Sequence, residues 1–141
     1  MSSHRIQTRP ARGELCTPKT QRGEDLGAFL QDAARTPGGH APLLALPETE
    51  GQVAWVLRSA PAVLPIGAQS SLTGGATPFG EWLLATRHFS TIGPIGADSV
   101  KVGAGVALTT LEQELRPHRR FYPPAPTFRG AFVGGLSLIH I

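Results

Sequence analysis

Between Leu64 and Pro78 the chain reads Leu-Pro-Ile-Gly-Ala-Gln-Ser-Ser-Leu-Thr-Gly-Gly-Ala-Thr-Pro, a short apolar run that empties into glycine and hydroxyl-bearing residues. Glycines reach positive φ without steric cost, so consecutive N–H groups can converge on one anion in a concave nest. Gly67, Gly74 and Gly75 are placed to do this, and Ser70, Ser71 and Thr73 add hydroxyl donors. No Lys-Ser or Lys-Thr pair follows the glycines and no Gly-x-Gly-x-x-Gly opens a helix, which excludes the two best-known phosphate loops. No Lys or Arg occurs between Arg58 and Arg87. An anion held here is therefore met by dipoles rather than by a salt bridge, an arrangement that suits a buried dinucleotide diphosphate. On composition alone the same run also reads as a plain surface loop.

The elements around the loop follow from periodicity. Leu26, Phe29, Leu30 and Ala33 place one apolar stripe on a helix over residues 25–34, stopped by Thr36-Pro37-Gly38-Gly39. A strand is expected over residues 42–46, then a helix with Thr49 as N-cap, Gln52 three residues on, and Val53, Val56, Leu57 and Ala60 inward. Pro61 ends it, and a strand over residues 62–66 delivers the chain into the loop. Residues 82–85 and 100–102 read as two more strands. Thr109, with Glu112 at the capping-box position, starts a helix carrying Leu111 and Leu115, and Pro117 closes it before Phe121-Tyr122 and a proline-rich turn. Residues 1–23 hold few large apolar side chains and are expected to form a flexible leader.

The loop pattern Pro-x-Gly-x-x-Ser-Ser-Leu-Thr-Gly-Gly-x-x-Pro belongs to an ordered set. Pro-x-Thr-Glu precedes it at residues 47–50; Val-Gly-Ala-Gly-Val follows at 102–106, Tyr-Pro-Pro-x-Pro-Thr at 122–127 and Val-Gly-Gly at 133–135. Together these resemble the FAD-binding (PCMH-type) domain of the flavin-dependent oxidoreductases typified by vanillyl-alcohol oxidase, in particular its glycolate oxidase and D-lactate dehydrogenase branch. The resemblance implies that Gly67, Ala68, Gln69, Ser70, Ser71, Leu72, Thr73 and Gly74 hold the FAD pyrophosphate, with Pro124, Thr127, Gly134 and Gly135 as a second wall. Two departures stand out. Many relatives carry Asp where Ala125 stands, and some covalent-flavin relatives carry His where Gln69 stands. Gln cannot form the histidyl-flavin bond, so FAD is expected to bind non-covalently.

Other classes find little support. The net charge of +3 comes largely from Arg5, Arg9, Arg12, Lys19 and Arg22 in the leader, opposed only by Glu14, which reads as a solvated tail rather than a nucleic-acid stripe. Cys16 is the only cysteine, so neither an intrachain disulfide nor a cysteine metal site can form. The five histidines lack the spacing of a zinc pair, and no metal site is expected. No Gly-x-Ser-x-Gly elbow surrounds Ser70-Ser71, so a hydrolase is discarded. Nowhere do 18 apolar residues follow one another, and no secretory signal precedes the domain; the location expected is cytoplasmic or peripheral.

With seventeen glycines and thirteen prolines in 141 residues, the expectation is a loop-rich α+β domain: the N-terminal subdomain of a PCMH-type FAD-binding domain, a small mixed sheet with flanking helices. Its extent is residues 24–135, with 136–141, Leu-Ser-Leu-Ile-His-Ile, reading as a non-native tail of an incomplete gene. The implied parent oxidises a small 2-hydroxy acid such as glycolate or D-lactate, with its catalytic groups beyond this sequence and an electron acceptor that the residues here do not identify. The alternative is a stand-alone nucleotide-diphosphate-binding module without redox activity.

Overall fold

A computed structural model describes residues 13–123 and 126–136. Among these residues six strands and three α-helices follow in the order β1 (Lys19–Gln21), β2 (Leu44–Leu46), α1 (Glu50–Ser59), β3 (Val63–Ile66), β4 (Trp82–Ala85), β5 (Ile92–Ile95), β6 (Val100–Val102), α2 (Leu108–Leu115) and α3 (Val133–Leu136). A four-stranded mixed sheet runs β1-β2-β4-β3, antiparallel at β1–β2 and parallel at the other two pairings. β5 and β6 make a separate antiparallel pair. This is the mixed sheet with flanking helices that the sequence leads one to expect.

Strand alternation explains the core. Leu44 and Leu46 of β2, Ile66 of β3, and Leu83 and Ala85 of β4 face one side with Leu26, Phe29 and Leu30. Ala45 and Leu84 face the other, with Leu43, where α1 lays Val53, Trp55 and Val56. Trp55 and Trp82 approach with ring centroids 6.4 Å apart. Leu57 does not join them. It was expected inward but is 59% exposed, and Trp55 joins Val53 and Val56 in the packed face instead. Thr49 caps α1 as expected, its hydroxyl accepting from the Gln52 N–H, while the Gln52 side chain accepts from the N–H of Glu48.

Several expectations are corrected. The helix over residues 25–34 is a 3-10 helix, Gly23–Phe29, because the next amides leave the helical path for the glycine-rich loop: Ala33 N–H donates to Gln69 O and Ala34 N–H to Ser71 O. Thr109 is not a cap. The helix begins at Leu108 after Ala107, and the first amides, which a cap would satisfy, are taken by backbone carbonyls, Leu108 N–H by Ala131 and Thr109 N–H by Arg129. β5 was not foreseen, since Gly93 and Pro94 interrupt its alternation and its pairing with β6 carries a register shift. β1 lies inside the segment read as a leader; backbone pairing with β2 holds it while Lys19 and Thr20 stay exposed.

A second packing unit gathers Val106, Leu111 and Leu115 with Ile92, Ile95, Val100, Val102, Tyr122 and Val133. Leu108, Ala131 and Leu136 pack beside it. Leu136 is the first residue of the hexapeptide set apart above, and residues 137–141 lie outside the described residues. Among the described residues no helix is long and apolar enough to cross a membrane.

Candidate diphosphate-binding site

β3 and β4 are parallel neighbours, so the chain leaving Ile66 must return the length of the sheet before it re-enters at Trp82. In most folds a helix makes that return. Here residues 67–81 make it as an open loop, leaving the sheet at the C-terminal end of β3, the side on which open sheets present ligand sites. The descending limb is guided by residues 38–41: His40 N–H donates to Pro78 O and Gly80 N–H donates back to His40 O.

Within the loop, Gly74 has φ +80 and Gln69 φ +49. Gly67 and Gly75 are not in the left-handed region, which corrects the expectation that all three glycines would supply positive φ. Their smallness serves other ends. A Cβ on Gly67 would come within 3.2 Å of the Phe132 ring, so the absence of a side chain lets that ring seat against the loop entrance. Gly74 faces Thr36, whose hydroxyl would lie 2.8 Å from an added Cβ.

The side chain of Gln69 faces the body of the protein. Its amide donates to Phe29 O at 2.8 Å and Ala76 O at 3.2 Å, tying the two limbs of the loop together. The N–H groups of Thr73 and Gly75 converge on one point, the hydroxyl oxygen of Ser71, each at 3.3 Å. Thr73 Oγ1 lies a further 3.3 Å from that oxygen. The Ser71 oxygen is thus an acceptor shared by two loop amides, at contacts toward the long end of the hydrogen-bond range. Among the described residues the amides from Ala68 to Leu72 meet no protein acceptor, so further donors are available. Leu72 projects outward, 80% exposed.

Of the predicted second wall, Gly134 and Gly135 belong to α3, directly after the Phe132 that backs Gly67. Gly134 lets α3 approach Ala104, where a Cβ would meet the Ala104 Cβ and carbonyl oxygen at 2.8 Å, and its N–H donates to Ala104 O. Gly135 faces open space. Thr127 is exposed and makes no hydrogen bond to the loop among the described residues, and Pro124 lies outside them. Three contributors escaped the sequence reading: Asp32, Thr36 and Phe132. Asp32 interrupts no pattern that would have singled it out, and Phe132 looks like any core aromatic beside a glycine pair.

The arrangement fits a diphosphate. It offers convergent backbone donors, a positive-φ glycine at the turn, and no side-chain cation within the loop. Residues 41–139 match the family model described as FAD binding domain. A Saccharomyces cerevisiae protein named D-2-hydroxyglutarate–pyruvate transhydrogenase is 28% identical over 126 residues, 83% of this chain and 25% of that protein. Among solved structures, a cholesterol oxidase from B. sterolicum superposes with TM-score 0.63 at 17% identity, over 91% of this chain and 26% of its own. An alkyldihydroxyacetonephosphate synthase gives TM-score 0.57 at 18% identity, over 67% and 21%. The chain therefore spans about a quarter of the length of the relatives it matches.

Proposed function

The chain belongs to the FAD binding domain family, and from that premise we propose that it is the cofactor-holding part of an FAD-dependent oxidoreductase that oxidises a small 2-hydroxy acid. The observation that carries the cofactor half of this reading is the convergence of the Thr73 and Gly75 amides on one oxygen-sized point. When bound, FAD supplies the hydride acceptor, its flavin N5. This chain's own residues bind and orient. The loop from Gly67 to Gly74 cradles the diphosphate, Gly74 allows the turn, and Phe132 closes the wall behind Gly67. Gln69, engaged with Phe29 O and Ala76 O, offers no nucleophile to the flavin, so retention is non-covalent.

The 2-hydroxy-acid half is supported by the name of the yeast relative, together with the loop pattern of the glycolate and D-lactate branch. Its test is direct. Full-length protein purified with its flavin is assayed for dye reduction with D-2-hydroxyglutarate, D-lactate and glycolate. Reduction with at least one of the three is expected; a flavin-loaded protein inert to all would set aside the hydroxy-acid substrate.

A further inference from the structure

Residues 29–36 precede the span matched by the family model, which begins at residue 41, yet they form a strap along the diphosphate loop. Ala33 N–H donates to Gln69 O at 3.0 Å, Ala34 N–H to Ser71 O at 3.1 Å, and Phe29 O accepts from Gln69 Nε2. At the centre lies Asp32, 5% exposed. Its own N–H donates to Thr77 Oγ1 at 3.2 Å; its carboxylate accepts from Ala34 N–H through Oδ1 at 3.1 Å and from Ala76 N–H through Oδ2 at 3.3 Å. No cationic side chain reaches it among the described residues.

A buried carboxylate without a cation is costly unless its lone pairs are filled, and here backbone N–H groups fill them. An anion beside an anion-binding loop also works against the ligand through simple repulsion. What it gives in return is direction. By taking the Ala76 N–H, Asp32 fixes the 75–76 peptide, while the Thr77 N–H goes to Gly74 O. The Ala76 amide is thereby withdrawn, and the amides of Thr73 and Gly75 keep their convergence on the Ser71 hydroxyl. We propose that Asp32 is a positioning residue of the diphosphate site, selecting by occupation which amides of the loop remain for the ligand. This rests on the cofactor reading above.

Two measurements test it in the full chain. By hydrogen exchange of the ligand-free protein, the Ala76 amide is expected to be protected to a degree approaching that of Leu83, which donates to Leu43 O in the sheet, while Thr73 and Gly75 exchange quickly. Equal, fast exchange at Ala76 and Thr73 overturns the proposal without any variant. The second measurement is affinity. Asp32→Asn sets an amide donor against one of two N–H donors and Asp32→Ala leaves both unpaired, so each is expected to weaken FAD and ADP by about tenfold or more. Riboflavin, which lacks the diphosphate, should bind the variants and the unaltered chain alike, a result a general loss of structure would not give. Unimpaired FAD and ADP binding by both variants overturns this inference alone; failure of the unaltered chain to bind either nucleotide overturns the cofactor reading and this inference with it.

Discussion

Gly74 carries the sharpest single constraint in the loop, since φ +80 and the nearby Thr36 hydroxyl exclude a side chain for two separate reasons. Gly74→Val is expected to abolish flavin retention in full-length protein, with a stability loss of about 1–3 kcal/mol from the forced backbone. Flavin absorbance and a circular dichroism melt of the variant check both parts; retained flavin would remove Gly74 from the cradle. Positive φ at Gly74 was among the expectations read from the sequence, but the same expectation at Gly67 and Gly75 was not met. That Gln69 would also enter the left-handed region was not legible, because its conformation is held by tertiary bonds to Phe29 O and Ala76 O that no local pattern announces. Those bonds give a second prediction: acid-precipitated full-length protein should be colourless, and a yellow pellet would show covalent attachment elsewhere. A third concerns Glu81, whose carboxyl is held below the usual carboxylate range chiefly by the Phe79 N–H it accepts, with its own N–H and the charge of His40 assisting. A depressed folded pKa stabilises above the ordinary carboxylate range and is lost as pH falls through the depressed value. Glu81→Gln should therefore lower the melting temperature modestly at neutral pH and leave it nearly unchanged below the depressed value, flattening the acid limb, as titration of the melting temperature would reveal.

At the scale of elements, those with strong local signals stood where the sequence placed them. α1 has its Thr49 cap and its stop at Pro61, and β4 and β6 have the limits read from pattern alone. The elements that went astray are those whose ends are set by distant backbone. α2 starts against the carbonyls of residues 129 and 131, and the 3-10 helix Gly23–Phe29 ends where its chain is captured by the loop. Gly51 in α1 separates the two kinds of information. Helix propensity alone says that Gly51→Ala should stabilise by up to about 1 kcal/mol. The structure says otherwise, because an added Cβ would land on the carbonyl of Glu14. The expected outcome is destabilisation by about 1–3 kcal/mol, the range for overpacking a tight contact. Chemical denaturation measures it, and a gain in stability would show that the segment at Glu14 yields freely.

For the molecule as a whole, 141 residues correspond to about a quarter of its relatives, and large apolar side chains stand in water, Leu72 at 80% and Phe121 at 79%. Hydride transfer needs a base at the substrate hydroxyl, a cation for its carboxylate and a wall against water, held together at reacting distance. The chain on its own, with excess FAD, is expected to reduce no dye with glycolate or D-lactate above a free-flavin blank; clear turnover would place catalytic groups within these residues. The fold class was legible because the glycine-rich loop demanded a strand to deliver it, whereas the strap at Asp32 was hidden by a sequence separation of 44 residues between it and Ala76. The central claim is that the loop binds FAD by its diphosphate. Amide signals of the isotope-labelled chain, followed during titration with FAD, ADP and riboflavin, test it most directly. The account predicts that FAD and ADP both shift Thr73 and Gly75 while riboflavin leaves them in place; binding of FAD that leaves these two amides untouched and shifts residues elsewhere would contradict it.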